Sequence, residues 1–261
     1  MKKRTAALLL AALTVLNLYG TGYTKKDEAE EPSAVKVVTW NIRHGNGRLM
    51  KQRDQLKAIG ADICFLQEVD EGTDRISGYS CLNSLGMAQY RHRYLGDYRP
   101  YEGGRFGSGI LSGREISGFV DSTGRSGLDT GHVYGVWEGE NCRISIYNVH
   151  LSPESDIHRA AQLQVLAEDF FADENPCRII AGDFNVRDLS ELDLFAGMGI
   201  VSTGESYYST YQGLDWDIQA IDNIIYTPDT LRLIRSDMHI SGLSDHNALS
   251  AEFELLLPAE E

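Results

Sequence analysis

Six apolar runs in this chain each meet a polar, chemistry-bearing residue at one end, and few folds can satisfy that pattern. VKVVTW, ADICFLQ, CRISIYNV and CRIIAG are rich in β-branched and aromatic residues, and they run into Asn41, Glu68, His150 and Asp183. AIDNIIY and ALSAEFELLL instead start at or just after polar groups, Asp222 and the pair Asp245 and His246. If all these groups share one place, four strands run toward a common rim and two run away from it. Side-chain alternation puts Ile144, Ile146, Asn148 and His150 on one strand face, and Ile179, Ala181, Asp183 and Asn185 on another. The apolar members then anchor a core while the polar members project at its edge. These constraints suit an α/β fold of two mixed β-sheets packed face to face with helices outside.

Further strands are expected at SGILSG and HVYGVWEG, which are bounded by turn-forming residues. Helical spacing of Leu49, Leu56 and Ile59, with Gly60 as a stop, predicts a helix over 48–59. A stronger stripe of Ala160, Leu163, Leu166, Ala167 and Phe170 predicts one over 156–172. No internal repeat is evident. The apolar runs recur without a long polar interruption, so 35–258 reads as a single domain, expected to be monomeric.

The first residues differ in kind. Lys2, Lys3 and Arg4 precede a thirteen-residue apolar run, 6–18, and then the small residues Gly20 and Gly22. That run is short for a membrane-spanning helix, which needs about 20 residues, and matches a secretory signal instead. The expectation is a signal peptide over 1–22, a polar tether over 23–34, export to the medium or cell envelope, and no stable membrane insertion once the signal is removed. No cysteine lies near the cleavage region to carry a lipid.

Net charge is −14. An acidic chain of this kind attracts cations and does not steer broadly toward polyanions, which argues against gripping long nucleic acid by charge alone. A nuclease is not excluded, because bound metal ions supply positive charge locally. Cys64 and Cys142 fall within apolar strands and Cys177 opens another, so these and Cys81 are expected to be free thiols. No pair has the short spacing of a zinc site.

The polar set has the parts that phosphodiester hydrolysis needs: a cation on the phosphate oxygens, a base near water, and stabilisation of the departing oxygen. Asn41, Glu68 and Asp245 offer the hard oxygen ligands preferred by Mg²⁺ or Mn²⁺, and Asp245 with Asp183 offers a second ion an alternative seat. His246 is the candidate base, with Asp222 fixing its tautomer. Asp183 and Asn185 are placed to orient the attacking water, and His150 to donate to a phosphate oxygen.

TWNIRHG, LQEVD, GGRFGSGILS, YNVHL, IIAGDFN, IDNIIY and LSDHNAL stand in the order found in the endonuclease/exonuclease/phosphatase superfamily, which the chain resembles over 35–257. The resemblance implies a four-layered, DNase I-like α/β sandwich and Mg²⁺- or Mn²⁺-dependent cleavage of phosphoester bonds. By motif position it assigns Asn41 and Glu68 to the metal site, Asp245 to its second carboxylate and His150 to phosphate binding. It assigns Asp183 and Asn185 to water orientation, Asp222 to pairing with the last histidine, and His246 to catalysis.

Several positions depart from that pattern. Nuclease members usually carry a basic residue two positions after the metal-binding glutamate, where this chain has Asp70; that weakens a DNA-cleaving reading. Ser108 stands where relatives often have Asn, and His132 falls near an expected Arg but reads as a solvated loop residue. Arg43, Arg75 and Arg105 are candidates for substrate phosphate contacts, since guanidinium matches phosphate geometry. His44 reads as packing beside them, and Tyr207, Tyr208 and Tyr211 as filling the sandwich rim. The favoured substrate is a small or lipid-derived phosphodiester. Nucleic acid and an inactive phosphate-binding module are the alternatives, and no aromatic-rich loop supports a sphingomyelinase-like enzyme.

Overall fold

The computed structural model describes residues 34–86, 89–122, 131–140, 142–205, 207–213 and 220–256, all within one compact unit, Ser33–Glu261. The expected signal segment and all but the last residue of the tether lie outside them.

Among the described residues, twelve strands form two six-stranded sheets. The first sheet holds β1 (Ala34–Asn41), β2 (Ile63–Glu71), β3 (His92–Tyr101), β4 (Gly104–Ser112), β11 (Leu231–His239) and β12 (Ala248–Leu255). Their order is β11-β12-β1-β2-β4-β3. The second sheet holds β5 (Ile116–Asp121), β6 (His132–Glu138), β7 (Arg143–His150), β8 (Arg178–Asp183), β9 (Gly199–Ile200) and β10 (Asp222–Tyr226), in the order β5-β6-β7-β8-β10-β9. Each sheet has one parallel pair at its centre, β1 with β2 and β7 with β8, and antiparallel neighbours elsewhere. The two orders match position for position, a repeat of topology that leaves no trace as repeated sequence.

Each parallel pair requires a crossover, and each crossover is a helix. Helix α1 (Leu49–Ile59) links β1 to β2 and stops at Gly60, whose φ of 65° suits a residue without Cβ. Helix α3 (Asp156–Ala172) links β7 to β8, with the Ser155 side chain accepting from the His158 amide at its start. A short helix α2 (Cys81–Leu85) lies beside α1. Of the expected α3 stripe, Leu163, Leu166, Ala167 and Phe170 are buried, but Ala160 is exposed. Arg159 takes the interior position instead, bonded to Glu191, Asp156 and the Ser152 carbonyl.

Three apolar layers follow from strand alternation. Val35, Val37, Phe65 and Ile110 of the first sheet meet Ile144, Ile146, Ile179 and Ala181 of the second. Trp40, Cys64 and Leu66 pack outward on α1 and α2, while Tyr147, Val149 and Ile180 pack outward on α3. Helix, sheet, sheet and helix make the four-layered α/β sandwich. Burying each large apolar side chain contributes about 1.5–3 kcal/mol. The four cysteines are free thiols, and no described helix is long and apolar enough to cross a membrane.

Candidate active site

β1, β2, β7 and β8 all deliver their C-terminal ends to one rim, and the antiparallel strands β10 and β12 begin there. His150 is directly opposite Asp183, and Asp183 directly opposite Asp222. Gly182 allows β8 to approach β7: a Cβ there would stand 2.1 Å from the Val149 carbonyl oxygen.

Two local distortions aim the side chains. In β2 the pairing slips between Leu66 and Val69, so that two residues, Gln67 and Glu68, oppose Ser108 of β4. Glu68 takes φ 54°, a left-handed conformation that is costly for a residue with a Cβ and is held only by its surroundings. Asn148 holds it from the opposite sheet: its Nδ2 donates to the Leu66 and Gly109 carbonyls at 3.1 and 2.9 Å. Gln67 Nε2 donates to Asn148 Oδ1 at 2.7 Å and reaches Thr39 Oγ1 at 3.2 Å. After β8, Asn185 has φ 50°, its amide donating to Asp183 Oδ1 and its side chain to the Leu151 carbonyl. That turn ties the β8 end to the loop after His150.

Asp183 lies at the centre. Its Oδ2 accepts from Asn41 Nδ2 at 3.0 Å and has His246 Nε2 and His150 Nε2 at 3.7 and 3.8 Å. His246 Nδ1 meets Asp222 Oδ2 at 2.8 Å, which leaves Nε2 facing Asp183. The same Asn41 amide donates to Glu68 Oε1 at 3.0 Å, while Asn41 Oδ1 accepts the Arg43 amide. Asp245 pairs with Arg43 at 3.2 Å, and Ser244 joins this stretch to the end of β1 by donating to the Asn41 carbonyl. The eight motif residues are thus brought to one rim.

The electrostatics are those of crowded carboxylates. Burial and neighbouring Asp222 raise the Asp183 carboxyl to about 6, against the opposing pull of His246, His150 and Asn41. For His246, burial disfavours the imidazolium, but Asp222, Asp183 and Asp245 outweigh it and raise the ring to about 10. Asp222 Oδ1 is buried and has no hydrogen-bond partner among the described residues. Ligand atoms of Asp183, Asp222 and His246 lie within 4.8 Å of one another. Hard oxygen donors with uncompensated negative charge fit a divalent ion such as Mg²⁺. As oriented, Asn41 turns its NH₂ edge to Glu68 and Asp183, so it would need to turn over to offer Oδ1 as a ligand.

A cleft of about 400 Å³ opens beside this group, lined by Glu68, His150, Arg43, His44, Arg75, Arg99, Phe106 and Ser108 among others. Arg75 is there for a reason the sequence disguised. Its guanidinium forms a two-bond pair with fully buried Asp70, at 2.5 and 2.7 Å, and packs on Tyr101. Asp70 therefore anchors a basic group at the cleft rather than repelling anions from it.

Two expectations are corrected. Arg105 does not line the cleft: it neighbours Phe106 on β4, so alternation turns it away, and it lies over Tyr98. His132 is no loop residue but opens β6, buried, with Nε2 3.1 Å from Asp169. Of the tyrosines, Tyr211 rests against the His246 ring, Tyr208 packs on the inter-sheet core, and the Tyr207 hydroxyl accepts the Ala220 amide. Sequence reasoning missed Arg99, which faces Phe106 across the β3–β4 hairpin; the unrecognised strand β3 concealed that register.

Solved structures share the architecture. An endonuclease/exonuclease/phosphatase from Beutenbergia cavernae DSM 12333 aligns with a TM-score of 0.68 at 16% identity, over 85% of this chain and 72% of that one. A family protein from Bacteroides thetaiotaomicron gives 0.66 at 15%, over 87% and 100%. A D. rerio TDP2 humanized by 14 mutations gives 0.65 at 17%, over 85% and 99%. Such identities speak to the fold. A comparison with curated proteins finds no match. The model of the Endonuclease/Exonuclease/phosphatase family matches residues 38–246, from β1 to the last histidine of the site, and the chain belongs to that family.

Proposed function

We propose that this protein is an exported, Mg²⁺- or Mn²⁺-dependent phosphodiesterase that cleaves a small or lipid-derived phosphodiester by attack of water. Members of its family are hydrolases of phosphoester bonds. The observation that carries the reading is the buried meeting of Asp183 with His150, His246 and, through His246, Asp222.

A bound divalent ion would be held by the oxygens of Glu68 and Asp245, with Asn41 and Asp183 at hand, and would place positive charge on the phosphate and offset the carboxylate field. The chain's own groups do the rest. Asp183 and Asn185 orient water for attack on phosphorus. His246 Nε2 takes the water proton, its imidazolium stabilised by Asp222; with its field offset, the ring that otherwise keeps its proton is freed to act as a base. His150 donates to a phosphate oxygen. The new P–O bond forms as the ester P–O bond breaks, and the departing alkoxide leaves as the alcohol after taking up a proton.

Turnover of bis-4-nitrophenyl phosphate with Mg²⁺ or Mn²⁺, silenced by EDTA and by His246→Ala, is the expected result. Turnover indifferent to both would overturn the reading. A nucleic-acid substrate is the second reading, favoured by the arginines of the cleft; robust plasmid nicking that His246→Ala abolishes would decide for it. Export rests on the N-terminal sequence pattern, and a mature chain that still begins at Met1 in the cytoplasmic fraction would refute it.

A further inference from the structure

Of the arginines that line the cleft, Arg43 is paired with Asp245 and Arg75 with Asp70. Arg99 has no acidic partner among the described residues. Its exposed side chain is held by an aromatic surface, the guanidinium lying 5.3 Å from the Phe106 ring centre, and that of Arg75 lies 5.2 Å from the same ring. Phe106 and Arg99 are directly paired across β3 and β4. Two residues along β4, on the same strand face, is Ser108, which lies opposite the Glu68 bulge. Ser108 is 1% exposed and lines the cleft, yet its hydroxyl has no hydrogen-bond partner among the described residues. A buried hydroxyl without a partner is costly, and a ligand oxygen would satisfy it. The one other charged group of β3 in this wall, Asp97, already accepts the Gly131 amide at 2.7 Å.

We propose that Arg99, braced by Phe106 and backed by Arg75, forms a second anion subsite, so that the substrate carries another anionic group besides the phosphate that is cleaved. The inference rests on the preceding reading of where that phosphate sits. The subsite lies two strand residues from the bulge, about 7 Å along the rim. An oxygen of the segment joining the two anionic groups passes Ser108, and the second anion faces the free guanidinium, a planar donor that matches phosphate or carboxylate. Arg105 lies outside the cleft and takes no part.

Binding tests this without turnover. Calorimetric titration with thymidine 5′-monophosphate and thymidine 3′,5′-bisphosphate compares two ligands that differ by one phosphate. The bisphosphate is expected to bind about tenfold more tightly, as one charge-assisted contact allows. Arg99→Gln should remove that advantage and Arg105→Gln should keep it. Equal Kd values for the two ligands in the unaltered protein, or an advantage that survives Arg99→Gln, would overturn the subsite. Loss of all phosphodiesterase activity would strike the proposed function instead, and leaves these Kd values measurable.

Discussion

Asp183 occupies a position where negative charge is poorly tolerated, and that conflict yields two predictions at the level of single residues. Buried beside Asp222, its carboxyl titrates at about 6 rather than 3.8, and the same cluster raises His246 from 6.5 to about 10. Both groups bind a proton more tightly in the folded chain than in the unfolded one. The stability contributed by Asp183 is complete below 3.8 and lost as pH rises through about 6; that from His246 is complete below 6.5 and lost through about 10. Without metal, the protein should therefore melt at a lower temperature at about pH 9 than at about pH 6, and His246→Gln should flatten that slope. Differential scanning fluorimetry in EDTA measures it, and a melting point that rises over this interval contradicts the cluster. Asp183→Asn removes one of the crowded charges. It should leave the metal-free fold at least as stable while lowering turnover ~10²- to 10⁴-fold, the trade-off usual at active sites. Full turnover in this variant would exclude Asp183 from the mechanism.

Among the elements, the bulge of β2 decides where Glu68 points, and it is held from the other sheet. Asn148 on β7 satisfies two carbonyls beside the irregular pairing, those of Leu66 and Gly109. Asn148→Leu preserves approximate volume but leaves both carbonyls without that donor, at about 1–3 kcal/mol each. Because the residue acts through Glu68, metal affinity should also weaken, by about 10- to 100-fold. Thermal melts and activity against Mg²⁺ concentration separate the two effects: lowered stability with unchanged metal dependence would make Asn148 merely structural. Arg159 has a comparable role behind the site. From the interior of α3 it joins Glu191 and the Ser152 carbonyl, so the loops that follow β7 and β8 are fastened to one helix.

For the whole molecule, three apolar layers place three of the four thiols out of reach. Burial pushes Cys64, Cys81 and Cys177 up to about 12, and Cys142, which is less buried, is raised as well. Modification of the first three requires the sandwich to open, since only the thiolate reacts. Under native conditions iodoacetamide should label Cys142 first; mass spectrometry showing Cys64 labelled at the same rate would mean that the first sheet opens readily. The matched strand orders of the two sheets add a geometric consequence. Each parallel pair directs two C-terminal ends to the same rim, so the site spans both halves of the sandwich and depends on their packing.

What could be read from the residues was whatever buried strands and ordered motifs reveal. Apolar runs that meet polar groups foretold the mixed sheets, the inter-sheet core and the convergence of the eight motif residues at one rim, and helical spacing of apolar residues foretold the two long helices. The strands that escaped notice, β3, β5, β9 and β11, are the four sheet edges. Edge strands carry exposed polar residues and lack the dense apolar signature of central ones. The fate of charged side chains was equally hidden, because pairing depends on neighbours distant in the chain or turned by local backbone geometry. Asp70 became the anchor of Arg75, His132 the buried partner of Asp169, and Arg105 gave way to Arg99 in the cleft. Periodicity assigns a residue to a face, but only packed sheets determine which charges meet there and which is left for a ligand.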